Sequence, residues 1–142
     1  MNAPLSAGAV LEPVGAEPAG AEPTQRSARQ REVVAALAPL LPAHALLWHR
    51  EDTVPYECDG LTAYREQPLV VALPETEEQV AQVLRICHRL NVPVVARGAG
   101  TGLSGGALPN RLGVTLSLAK FNKILKVDAV ARTATCTATP AC

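Results

Sequence analysis

The sequence predicts an α+β fold built around one βαβ unit, with further short strands after it and a disordered arm and a helix before it. Three observations carry that expectation. Residues 69–73 form a continuous apolar run, LVVAL, between Pro68 and Pro74. An amphipathic helical pattern follows at once. A second apolar stretch, VPVVA at residues 92–96, then runs directly into a segment dense in glycine.

Residues 1–25 are rich in alanine, proline, glycine and glutamate and have no apolar periodicity. Such a composition buries too little surface to offset the entropy of ordering, so this stretch is expected to be a disordered arm. From Ser27 the pattern changes: Val33, Val34, Leu37, Leu40 and Leu41 recur at helical spacing. An N-terminal helical segment is expected over residues 26–45, interrupted or ended near Pro39 and Pro42. Leu46, Leu47 and Trp48 make a second apolar cluster, and HREDTVPYECDG after it reads as irregular and polar.

The run at residues 69–73 has the unbroken apolarity of a strand buried on both faces. Thr76 and Gln79 match a capping box, and Glu75, Glu77 and Glu78 put negative charge where the helix dipole is positive. Val80, Val83, Leu84, Cys87 and Leu90 then fall on one predicted helix face, which ends at Asn91. The strand at residues 92–96 should lie parallel to the first, through a right-handed crossover. Residues 114–118, 124–127 and 132–139 complete the set of short β-prone segments.

The glycine-dense segment is RGAGTGLSGGA, residues 97–107, which holds five of the chain's ten glycines. Consecutive amides in a tight glycine loop can point inward and form a partly positive nest for an anion, with no lysine required. Gly100, Gly102 and Gly105 spell a literal G-x-G-x-x-G. The dinucleotide fingerprint also needs those glycines to open a helix and an acidic residue to follow about 20 positions on. Instead the run leads into Gly106, Ala107, Leu108, Pro109 and Asn110, which read as a turn, and Asp128 is the first acidic residue after it. A P-loop fails as well, because Gly106 stands where lysine is needed. What remains is a loop leaving the carboxyl end of a strand, where ligands of α/β sheets bind.

Composition removes several function classes. The chain has 142 residues, enough for one domain or slightly less. Its 13 basic and 13 acidic side chains balance, and aromatics are limited to Trp48, Tyr56, Tyr64 and Phe121. Neither a basic field nor a stacking platform for nucleic acid is present. The cysteines Cys58, Cys87, Cys136 and Cys142 form no C-x-x-C pair, and His44, His49 and His88 lack the spacing of a zinc site. Reduced thiols and no metal are expected, with Cys87 acting as a small core hydrophobe. No apolar run approaches the roughly 20 residues of a membrane-spanning helix, and the amino terminus lacks the pattern of a secretory signal. The expected location is cytoplasmic; peripheral attachment to the inner membrane through a partner would leave no mark in the residues.

Residues 46–135, and above all RGAGTGLSGGA within YECDGLTAYREQPLVVALPETEEQVAQVLRICHRLNVPVVARGAGTGLSGGALP, resemble the FAD-linked subunits of bacterial glycolate oxidases and the related D-lactate dehydrogenases, of the vanillyl-alcohol-oxidase type of flavoprotein. The resemblance implies that residues 46–142 are the first half of a PCMH-type FAD-binding domain, truncated. By the same similarity Gly98, Ala99, Gly100, Thr101 and Gly102 would supply backbone donors to the FAD pyrophosphate, with Ser104 a candidate hydroxyl donor and Pro74 near the adenine half. Arg97 has two readings: a cation beside the pyrophosphate, or a donor that fixes the loop through neighbouring carbonyls. Relatives that attach the flavin covalently through this loop carry a histidine where Thr101 aligns, so noncovalent FAD is implied.

The implied reaction is oxidation of a small 2-hydroxy acid, glycolate or D-lactate, with hydride passing to the flavin and electrons leaving through other glycolate-oxidase-type subunits. The substrate-oxidising residues of that family lie in a later cap domain, so none is expected in this chain. The tail CTATPAC departs from the family's continuation, in which a glycine follows the proline. A truncated or frame-shifted reading frame is the expectation, and with it the alternative that the chain is a non-catalytic remnant binding FAD weakly or not at all.

Overall fold

The computed structural model describes residues 23–137. Helix α1 (Pro23–Leu37) begins inside the segment expected as a disordered arm, which corrects that expectation at residues 23–25; residues 1–22 lie outside the described residues. Proline is tolerated in the first turn of a helix, where its missing N–H has no intrahelical partner. Polar side chains that apolar periodicity cannot register then tie the helix down. Arg26 donates to the carbonyls of Gln67 and Pro68 at 3.4 and 3.1 Å, and Gln30 donates to Trp48 and Leu69 at 3.0 and 2.7 Å. Val33 and Leu37 supply its buried face.

A one-turn 3-10 helix at Ala43–Ala45 leads into strand β1 (Leu46–Leu47). The polar stretch expected to be irregular contains a second short helix, α2 (Arg50–Thr53), and another 3-10 turn at Val54–Tyr56. The reason is Thr53, a buried residue whose hydroxyl lies 3.1 Å from the carbonyls of His49 and Arg50 and accepts from Gln67 Nε2 at 3.0 Å.

Strand β2 (Val70–Ala72) is buried at all three positions. Successive strand residues point to opposite faces, so both faces of β2 are covered. Helix α3 (Glu77–Arg89) starts as the sequence predicts: Thr76 Oγ1 accepts from the Gln79 amide at 3.2 Å, while Gln79 Oε1 reaches back to the Glu75 amide at 2.7 Å. It ends on Asn91 at φ 52, with Val92 donating to Cys87 at 2.8 Å and Asn91 to His88 at 3.0 Å. Those paired bonds are a Schellman closure with asparagine in place of glycine. Val83 and Cys87 are buried as expected, and burial pushes the Cys87 thiol above its usual range. Leu84 is instead 43% exposed. It sits at the shoulder of the apolar stripe, and Ile86 on the opposite shoulder packs against the core in its place.

Strands β3 (Val94–Arg97) and β4 (Val114–Ser117) complete a four-stranded sheet in the order β1-β2-β4-β3. β1 is antiparallel to β2, and both β2 and β3 run parallel to β4. The two strands of the βαβ unit are thus parallel, as expected, yet they are not neighbours. β4 lies between them, with Thr115 opposite Val71 on one side and Val95 on the other. All four β4 residues are buried, whereas β3 forms a half-exposed edge. Strands β5 (Ile124–Asp128) and β6 (Thr133–Cys136) pair antiparallel as a separate hairpin, its turn closed by Asp128 Oδ1 accepting from the amides of Val130 and Ala131.

Candidate functional site

The glycine run leaves the carboxyl end of β3 and crosses to β4 with no helix between, so it lacks the helix opening of a dinucleotide fingerprint. Two of its glycines, Gly100 and Gly105, hold positive φ at 72° and 73°. At Gly100 that conformation is strained for any residue with a Cβ. Among the described residues, the amides of Gly98, Ala99, Gly100, Thr101, Gly102 and Leu103 donate no backbone hydrogen bond. Residues 98–102, with Ser104 and Gly106, wall a shallow cavity of about 290 Å³. No lysine or arginine lines it. The loop thus combines backbone donors that have no backbone partner with the Ser104 hydroxyl on one uncharged wall, the kind of concavity in which backbone amides can hold an anion.

Thr101, Gly102 and Ser104 are exposed, and they occupy the cradle together with Gly98, Ala99 and Gly100. Two other expected site residues stand elsewhere. Pro74 is fully buried at the end of β2. Beyond it, Glu75 and Thr76 reach a second cavity of about 510 Å³, walled also by Val80, Leu118, Phe121 and Leu125. Arg97 is absent from the wall of the cradle. Its guanidinium donates to the Cys58 carbonyl at 2.6 Å and lies 5.6 Å from the centroid of the Tyr56 ring. It also fills the space beside Gly100, where an added Cβ would stand 2.2 Å from Arg97 Nη2. Arg97 thus stands behind Gly100 and against the 56–58 segment, outside the wall of the cradle.

The segment at residues 56–60 is the part of the site that the sequence does not announce. Gly60 packs so closely on the loop that a Cβ there would lie 2.7 Å from the Thr101 carbonyl oxygen and 2.8 Å from that of Gly102. Asp59, buried, shapes the approach by accepting from the Leu61 amide at 2.9 Å. The Asp-Gly pair is a turn signal, and it marks a turn without disclosing that the turn docks 40 residues away. No described helix is long and apolar enough to cross a membrane.

Comparisons with known proteins identify the family. The family described as FAD binding domain matches residues 68–139, which include the whole glycine run. The chain is 55% identical over 102 residues to the glycolate oxidase subunit GlcD of Escherichia coli strain K12, covering 72% of this chain and 20% of that protein. It is 45% identical over 67 residues to a D-lactate dehydrogenase of Archaeoglobus fulgidus, covering 47% and 15%. A solved structure of p-cresol methylhydroxylase with substrate bound superposes with a TM-score of 0.61 at 28% identity, over 71% of this chain and 20% of that one. The chain therefore spans a fifth or less of the length of these relatives. With the family matched over half of the chain and the glycine cradle inside the matched region, the chain belongs to the FAD binding domain family.

Proposed function

We propose that this chain is the FAD-binding portion of a flavin-dependent 2-hydroxy-acid oxidase or dehydrogenase, acting on glycolate or D-lactate, and that it holds the FAD pyrophosphate through the loop at residues 98–104. The observation that carries the reading is the set of backbone amides without intrachain backbone partners in a cradle that has no cationic side chain. The backbone N–H groups of residues 98–102 would hold the phosphate oxygens, and Ser104 would add its hydroxyl. When bound, FAD would supply the hydride acceptor, and the protein's part is to place and tune it. Thr101 has no imidazole with which to attach the flavin, which supports a noncovalent cofactor. Similarity to a protein named as an oxidase subunit supports a chain that works beside partner subunits; attachment to the inner membrane would come through them.

The hairpin favours a second reading of the 142-residue chain taken by itself. Ile124, Leu125 and Val127 are more than 60% exposed, an apolar surface prone to self-association, and a self-associated chain would hold FAD weakly or not at all. Titrating the purified chain with FAD, and following the flavin band near about 450 nm, a property of the cofactor, separates the two. Saturable binding that acid precipitation releases into the supernatant supports the first reading. Flavin retained in the pellet would contradict the noncovalent link, and no binding would favour the second reading. Reduction of a dye with glycolate or D-lactate by the chain alone would overturn the expectation that the substrate-oxidising groups lie outside it.

A further inference from the structure

We propose that residues 56–60 are a template that orients the amides of the glycine loop, with Gly60 and Arg97 as its two positioning residues; the proposal rests on the anion-cradle reading of that loop. A trans peptide is planar, and its C=O and N–H point in opposite directions. The carbonyl oxygens of Thr101 and Gly102 are the atoms closest to the place where a Gly60 Cβ would stand, so they face Gly60. The N–H groups that share those peptide planes belong to Gly102 and Leu103, and they face away from Gly60. The wall of the cradle contains Gly102 and no residue of the 56–60 segment. Packing against Gly60 thus turns the Gly102 donor toward the anion side, while Leu103, whose amide shares the second plane, is not on the cradle's wall.

Arg97 holds the same two segments together from the other end. Its guanidinium lies between the turn at Gly100 and the Tyr56 ring while it donates to the Cys58 carbonyl. Only glycine at position 100 leaves room for it. A lysine in its place would keep the charge and lose the planar group that meets ring, carbonyl and loop at once.

The test uses the full chain and three variants: Gly60→Ala, Arg97→Met and Arg97→Lys. In the ligand-free protein, hydrogen exchange should rise together in residues 56–60 and 98–104 for Arg97→Met and Arg97→Lys, with the amides of α3 and β4 as protected as before. Exchange that rises in one segment alone, or in neither, would overturn the template. In titrations with FAD and with inorganic pyrophosphate, Gly60→Ala and both Arg97 variants should lose about tenfold or more in affinity, as expected when one hydrogen bond to a charged group is lost. The slope of affinity against ionic strength should stay that of the parent chain in the Arg97 variants. A flattened slope, with Arg97→Lys binding like the parent, would make Arg97 a direct phosphate ligand and overturn its positioning role. If Gly60→Ala fails to fold, the Arg97 pair decides the matter alone. Coupled exchange in a chain that binds no FAD would uphold the template while refuting the cofactor reading, so the two failures are distinguishable.

Discussion

Val70, Val71 and Ala72 in β2 are fully buried, whereas Ile124, Leu125 and Val127 in β5 are 70%, 62% and 69% exposed, although both strands are built from β-prone apolar residues. What differs is the number of neighbours. β2 is hydrogen-bonded on both edges, by β1 and β4, and helix α1 packs against it. β5 has β6 on one edge, reached through the loop at residues 129–132 that Asp128 closes. Strand propensity is context-dependent for this reason: it measures fit to a half-buried surface, and the surface must be supplied by other elements. The glycine loop leaves β3, the half-exposed edge strand of the sheet that contains β2. A loop of residues with little conformational restraint of their own is therefore anchored at one edge of that sheet.

Removing the same kind of side chain from each region should separate the two. Leu69→Ala, at a fully buried position beside β2, should cost about 2 to 5 kcal/mol of stability. Ile124→Ala in the hairpin should stay within about 0.5 kcal/mol, as exposed substitutions do. Urea unfolding of the two variants is the check, and equal losses would mean that the hairpin carries a hidden core. A smaller effect is expected at Gln30, whose side-chain amide serves the carbonyls of Trp48 and Leu69. Gln30→Ala leaves both acceptors without that donor and should cost about 1 to 3 kcal/mol. Smaller again is the helix start: Thr76→Ala should cost about 1 kcal/mol, the usual value of an N-cap hydroxyl. The smallest effect on stability is expected for Val127→Lys, which should leave the unfolding midpoint in place and raise the concentration at which the chain stays monomeric in sedimentation.

Parts of this fold written in local chemistry are legible in the sequence. Helix α3 is bracketed by Thr76, Gln79 and Asn91, and each does what its residue type suggests within five positions along the chain. The cradle is legible for the same reason, since five glycines after a strand describe a loop without reference to anything distant. Strand order is not. Nothing in LVVAL or VPVVA says that residues 114–117 will enter between them, because parallel pairing joins segments across long separations and leaves no periodic mark. Helix α1 is only half legible: Val33 and Leu37 give its apolar face, while its anchoring by Arg26 and Gln30 depends on carbonyls 18 to 85 residues away. The docking of Gly60 on Thr101 and Gly102 belongs with the strand order, a contact made by the fold as a whole.

We propose that the backbone of residues 98–104, carried by the edge strand β3, binds the FAD pyrophosphate. It is tested most directly by FAD titration of the parent chain against Gly100→Ala, which places a Cβ at positive φ and against the Arg97 guanidinium. The parent should bind FAD saturably and in competition with inorganic pyrophosphate, and the variant should lose both while staying folded at a cost of about 1 to 2 kcal/mol, the usual strain of a Cβ at positive φ. A Gly100→Ala chain that binds FAD as the parent does, with the same competition by pyrophosphate, would contradict it.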